Sequence, residues 1–578
     1  NAGLFYAKLG ERAFEFYDRN MAPPANRGPA GHFQTSSAPS FVHAQGDVEV
    51  LTFETEQNYR RLQELFKTSE NTTPEPGKVT PLYFRSRTDG SVQPYGIHLP
   101  SGFSKEKKYP LVIQLHGLNF NEVLSGSRVQ YRGMPPAQWI DPNLPAIVAQ
   151  CFGRPSAFYI GMGEEDVLEV IDEVQRRFPI DSNRVYIMGH SMGGAGSYTV
   201  GLHYPDRFGG ITATDAAMGG RLAPPTDLPD WMKPQAAIHT VPNLYPNARN
   251  VDVFFKHAGA GIQRRNMEFT DGIVAHGGFS TTESYPGLPH GFAQFYAYGT
   301  FLAQLIQHPI RRTPDEVKFY TNTLRYNRAY WVTIDRLTRH NADATVVATY
   351  ADDSLRLTAT NIDALTLRLA DSPVPTGKPI PLIVNGEQIR NTPLPATLHL
   401  RNTNGQWTQT TDATKQGKHH GIQGPIGDAF RSKFLAVFGE TDRDLAIAEL
   451  DAIRNPPGPL TMHGEFPMKP AAKVTAQDIA SSNLILFGTP QTNVVLRRIA
   501  AKLPAAQMQS TGGAYNVFIY PNPENPSRYV VVWSGKLLSL PEHGMRAGWI
   551  MPLNLLPDHI RIQNGKIVNG GHFDADWK

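Results

Sequence analysis

Ser191 stands in the run Val185-Tyr186-Ile187-Met188-Gly189-His190-Ser191-Met192-Gly193-Gly194, which has the spacing G-x-S-x-G between a β-prone stretch and a series of small residues. A serine hydroxyl is a weak nucleophile until a base takes its proton, and it must project clear of the backbone. A tight strand-to-helix turn achieves this, with glycine wherever a side chain would collide. Gly189 and Gly193 hold those positions, and Gly194 and Ala195 let a following helix approach a sheet. A helix N-terminus beside Ser191 favours developing negative charge. The chemistry is acyl transfer with Ser191 as nucleophile.

Acyl transfer also needs a base and two donors aimed at the carbonyl oxygen. His290, in Ser284-Tyr285-Pro286-Gly287-Leu288-Pro289-His290-Gly291-Phe292, follows a strand and a Pro/Gly loop and is the expected base. His257 and His276 lack that setting. One donor is the backbone N–H of Met192. The other is assigned to Leu118, in the loop Leu115-His116-Gly117-Leu118-Asn119 that ends the apolar run Pro110–Leu115. His116 and His190 flank these groups and are candidates for substrate contact. So is Trp231, in the Pro-rich connection Arg221–Asn247, which reads either as a lid or as a surface-packed loop. No metal or organic cofactor is required.

These residues need a scaffold. The chain has 578 residues, 40% hydrophobic and 19% charged, with a net charge of +3. That length suits three or four domains at about 150 residues each. Basic residues do not cluster beyond Lys105–Lys108, which excludes a phosphate-backbone surface and argues against nucleic acid. The single cysteine, Cys151, rules out an intrachain disulfide and a cysteine metal cluster, and its apolar neighbours mark a buried strand. No apolar run of about 18 residues exists to span a membrane. His419-His420 and His463 lack the carboxylate spacing of a metal site, and Gly439–Asp444 and Gly488-Thr489-Pro490 do not match a phosphate loop. The chain opens at Asn1 without a signal-like apolar region, which fits either a removed leader or trimming; secretion or a periplasmic place is the expectation.

Four regions follow from the patterning. Residues 1–75 read as a partly helical strap, with helical spacing over Leu4–Met21 and again over Val48–Phe66. Residues 76–312 alternate strands and helices, which implies a mostly parallel sheet covered on both faces. Residues 313–415 give short alternating strands with an Asn385-Gly386 hairpin signal, as in a β-sandwich. Residues 416–578 return to a smaller α/β pattern.

Residues from about 80 to 300 resemble the bacterial α/β-hydrolases grouped with feruloyl esterases, polyhydroxybutyrate depolymerases and prolyl-oligopeptidase-like hydrolases. Tyr109–Gly117, Gly161–Val174, Ile180–Gly194 and Tyr285–Gly291 carry the resemblance, most specifically Gly163-Glu164-Glu165-Asp166-Val167 and Arg184-Val185-Tyr186. It implies an α/β-hydrolase catalytic domain and carboxylic ester substrates, among them feruloyl or acetyl esters on plant polysaccharide. In that group the triad Asp usually follows a strand ending in His-Gly. Here Val253-Phe254-Phe255-Lys256-His257-Ala258-Gly259-Ala260-Gly261 puts glycine at that place. The acid matters because it fixes the imidazole tautomer. Asp215, after the strand Gly210–Thr214, is one candidate, since some lipases of this fold place their acid one strand earlier. Glu268 and Asp271 are alternatives, and so is the absence of a working acid. Two other functions stay open. One is a serine peptidase of the prolyl-oligopeptidase type, although such enzymes usually carry a β-propeller before the hydrolase domain. The other is a binding protein on a degenerate hydrolase domain.

Overall fold

The computed structural model describes residues 41–52, 56–117, 144–154, 157–216, 228–258, 260–285, 302–411, 417–456, 460, 462–509, 512–540, 545 and 550–578. Its strands fall into four sheets among these residues. The described residues open with a hairpin, β1 (Phe41–Gln45) and β2 (Val48–Thr52), followed by helix α1 (Glu56–Ser69). Val48-Glu49-Val50-Leu51-Thr52 alternates with period two, so this part of the expected helix is a strand; helix begins only at Glu56. The segment Leu4–Met21 lies outside the described residues.

The sheet whose strand β7 leads to Ser191 has eight strands: β3 (Val79–Arg85), β4 (Val92–His98), β5 (Tyr109–Leu115), β6 (Ile147–Cys151), β7 (Ile180–His190), β8 (Gly210–Thr214), β9 (Asp252–Ala258) and β10 (Ser280–Tyr285). Their order is β10-β9-β8-β7-β5-β6-β4-β3. Strands β5 to β10 pair in parallel, and β4 runs antiparallel to both its neighbours. Such a sheet is buried on both faces, which explains why β5, β6, β8 and β9 are buried along their whole length. Cys151 ends β6 inside this core, and burial pushes its thiol well above the usual range. Helices α2 (Met162–Arg177), α3 (Met192–His203) and α4 (Ala260–Ala275) connect the strands. Helix α3 is buried on every side, and its small residues allow that.

Two five-stranded sheets between Glu316 and Thr410 face each other around a core that includes Trp331, Leu365 and Leu398. Asn385 and Gly386 turn one hairpin with φ of 50° and 88°, the left-handed pair that a two-residue turn demands. The last sheet has nine strands. Its parallel centre is Glu465–Pro470, Phe434–Phe438, Asn483–Phe487 and Asn525–Trp533, and β2 pairs antiparallel with Glu465–Pro470 at its side. The β1–β2 hairpin therefore belongs to the C-terminal sheet.

Buried charge joins the parts. Glu164 and Glu165, in the first turn of α2, pair with Arg325 and Arg431 from the two following regions. Tyr326 donates its hydroxyl to Glu164 at 2.6 Å and stacks on His203 at 3.7 Å between ring centroids.

Candidate active site

Strand β7 delivers Ser191 at the C-terminal edge of the eight-stranded sheet, and α3 leaves from Met192. Ser191 has φ 55° and ψ −113°, a conformation that costs free energy for a residue with a Cβ. Its N–H donates to the Thr214 carbonyl at 2.9 Å, and its carbonyl accepts from Ala195 N–H at 3.1 Å. The glycines around it are required sterically. A Cβ on Gly189 would overlap the Gly193 carbonyl, and one on Gly193 would overlap the Leu115 carbonyl. A Cβ on Gly194 would sit 2.8 Å from the Thr214 oxygen. The turn is thus wedged between the ends of β5 and β8.

The end of β5 supplies the opposite wall. A Cβ on Gly117 would lie 3.2 Å from His190 Cδ2 and 3.5 Å from Ser191 Cβ. His116 is buried, with Nδ1 2.7 Å from the Gly117 carbonyl and Nε2 2.7 Å from the Phe152 carbonyl. His116 is therefore engaged with backbone, which fits a brace better than a group that touches substrate. Met192 begins α3, so its N–H has no acceptor within the helix. The expected partner donor, Leu118, and the expected base, His290, lie outside the described residues. Strand β10 ends at Tyr285 on the same sheet edge as Ser191, and His290 follows it in the sequence.

The acid candidates differ sharply in environment. Asp215 follows β8 with φ 44° and is fully buried. Its Oδ1 accepts from Ala258 N–H at 2.6 Å, and its Oδ2 lies 4.0 Å from His190 Nδ1. It is held between the ends of β7 and β9. Glu268 and Asp271 are on the solvent side of α4, where Glu268 pairs with Arg264 at 3.6 Å and its side chain is 59% exposed. The described end of β9 carries Lys256, His257 and Ala258 and no carboxylate. Burial lowers the His257 pKa, and Lys256 pairs with Glu283 at 2.7 Å.

Trp231 is placed elsewhere. Its indole lies against Gly570, and its carbonyl accepts from His572 Nε2 at 3.1 Å, so it meets the C-terminal sheet. In the described part of the connection that carries it, Asn247 donates to the carbonyls of Leu202 and Tyr320 at 2.9 and 3.1 Å. Among the described residues, no group of three or more His, Cys, Asp or Glu is placed to hold a metal ion, and no helix is long and apolar enough to cross a membrane. His463 instead packs its ring on Phe152, and His420 bonds the Leu324 carbonyl at 2.9 Å.

One element of the site has almost no signature in the sequence. Tyr159, between β6 and α2, occupies the space that side chains on Gly153 and Gly196 would need, and its hydroxyl donates to the His116 carbonyl at 3.2 Å. The pair Gly153 and Gly161 is the only signal of this turn in the sequence.

An eight-stranded sheet in this order, with serine on the turn after its central strand, defines the α/β-hydrolase fold. Within it, residues 167–311 match the family model described as "Putative esterase". The resemblance to serine esterases of this superfamily is thereby shown for that region. A dipeptidyl-peptidase 5 of Porphyromonas gingivalis is 29% identical over 147 residues, which are 24% of this chain and 22% of that protein. The chain thus matches less than a quarter of that relative's length. Among solved structures, a fluorophosphonate-binding serine hydrolase F of Staphylococcus aureus is 20% identical over 40% of this chain and 99% of its own, with a TM-score of 0.32. A ferulic acid esterase is 21% identical over 40% of this chain and 98% of its own, with a TM-score of 0.31.

Proposed function

We propose that the chain hydrolyses carboxylic esters through Ser191, His290 and Asp215. The observation that carries this is the conformation of Ser191, a strained non-glycine residue held on a strand-to-helix turn where three glycines admit no side chain. In this mechanism His290 takes the Ser191 proton as the hydroxyl attacks the ester carbonyl. The amides of Met192 and Leu118 receive the oxyanion. The alcohol leaves with the proton held by His290, and water then attacks the acyl-enzyme with His290 as base again. Asp215 holds the imidazole in the correct tautomer. Feruloyl and acetyl esters are the specific substrates to try first.

A fluorophosphonate probe should label the full chain, and Ser191→Ala should abolish labelling. Equal labelling of both would remove Ser191 from the mechanism. The partial match to a dipeptidyl-peptidase favours peptide cleavage as a second function of the same machinery. Turnover of methyl ferulate and short p-nitrophenyl esters, set against dipeptidyl and prolyl p-nitroanilides, separates the two. Folded protein that labels with no probe and turns over neither class would leave a binding protein on a lapsed hydrolase domain.

A further inference from the structure

The turn between β6 and α2 concentrates unusual backbone. Gly153, Arg154, Phe158, Tyr159 and Gly161 have φ of 63°, 63°, 55°, 53° and 60°. Three of these residues carry side chains, and each costs free energy in that region unless its surroundings hold it there. Arg154 is the hold at one end. It is fully buried, and its guanidinium donates to Asp89 at 2.8 and 3.2 Å, to Ser86 Oγ at 2.8 Å and to the His463 carbonyl at 3.2 Å. The Arg154 carbonyl accepts from His463 N–H at 3.3 Å, and Asp89 also accepts from Glu465 N–H at 3.1 Å. Ser86 and Asp89 belong to the β3–β4 turn of the hydrolase sheet. Residues 463–465 lead into the strand Glu465–Pro470 of the C-terminal sheet.

Tyr159 stands at the other end. Its ring separates the Gly153 turn from α3 at Gly196, and its hydroxyl bonds the His116 carbonyl. His116 Nε2 in turn bonds the Phe152 carbonyl, one residue before the turn. Arg154 is thus linked to the β5 end and the Ser191 helix through Gly153, Tyr159 and His116, all of them buried.

We propose that Arg154 is a positioning residue through which the C-terminal sheet fixes Tyr159 between the oxyanion strand end and the nucleophile helix, making ester turnover depend on that contact. This rests on Ser191 being the nucleophile.

Gly464→Ala in the full chain is the decisive variant. Its Cβ would lie 2.7 Å from Asp89 Oδ2 and 3.2 Å from Arg154 Nη1, so it presses on the pair from the C-terminal side and changes no hydrolase residue. Active sites are counted by fluorophosphonate titration and turnover is read with p-nitrophenyl acetate. Turnover number per titrated site should fall about tenfold or more, as misplacement of reacting groups does, with KM within about threefold of wild type. Arg154→Gln should fall further, and Arg154→Lys should recover part of the loss. If Arg154→Gln does not fold, Gly464→Ala and Arg154→Lys decide. A folded Gly464→Ala with unchanged turnover per site overturns the inference, and so does raised KM at unchanged turnover. Wild type that neither labels nor turns over the ester would sink the assignment of Ser191 instead.

Discussion

Five residues carry the proposed chemistry, and they differ in how plainly the sequence announces them. Ser191 is legible because its turn needs glycines at fixed offsets. The acid is not, because a carboxylate can reach the base from the end of more than one strand. Geometry separates the candidates: Asp215 is fully buried at the Ser191 edge of the sheet, while Glu268 and Asp271 face solvent on α4. Asp215→Asn should lower turnover number by about 10⁴-fold, as loss of the correct tautomer does in a serine triad. Glu268→Gln and Asp271→Asn should change it by less than about twofold, as exposed substitutions do. Steady-state rates on one p-nitrophenyl ester check all three, and full activity in Asp215→Asn would move the acid elsewhere. Arg154 and Tyr159 were invisible for a different reason. Nothing local marks a non-glycine residue for positive φ, and Arg154 meets its partner His463 from 309 positions away.

At the level of elements, period and burial made the hydrolase strands readable: each continuous apolar run became a strand buried on both faces. Short alternation misleads at Val48–Thr52, which reads as helix in a wide window but pairs as a strand with Glu465–Pro470. Glu164 and Glu165 stand out in the sequence as carriers of the resemblance, yet they are committed to Arg325 and Arg431 across a junction that spacing does not reveal. The contact of α3 with β5 yields a sharp prediction. The obstacle facing a Cβ on Gly193 is backbone, the Leu115 carbonyl, and backbone does not yield as a side-chain tip does. Gly193→Ala should therefore lower turnover at least about 100-fold and reduce thermal stability, by overpacking that costs about 1–3 kcal/mol. Melting and kinetics measured on one preparation check it; wild-type behaviour in both would mean that the turn can open without loss.

For the whole molecule, the buried carboxyls near Arg154 set a pH dependence. Burial raises Asp166 to about 7 and Glu465 to about 8, whereas carboxyls in an unfolded chain titrate near about 4. Between those limits the folded chain keeps protons that the unfolded chain has released, so stability falls as pH rises through that window. Asp89, Glu164 and Asp558 behave oppositely: against the burial that opposes them, Arg154, Arg431 and Lys418 hold these carboxyls below the usual range. Their contribution is lost only in acid, below about pH 4. Asn at position 166 keeps an acceptor for the Gly153 N–H, which Asp166 now binds at 2.8 Å, without a charge to bury. The melting temperature of Asp166→Asn relative to wild type should accordingly climb between about pH 5 and about pH 8. A difference that stays flat across that range would remove Asp166 from the account.

Strand β2 and its neighbour Glu465–Pro470 are far apart in the sequence, with the hydrolase and sandwich strands between them. During synthesis the ribosome delivers β2 early and its partner only after the hydrolase and sandwich strands have emerged. Until then one backbone edge waits open, and such edges are where nascent chains stick to one another. Completion of this sheet thus waits for Glu465–Pro470, and a holding chaperone would find its work at the hairpin's unpaired side.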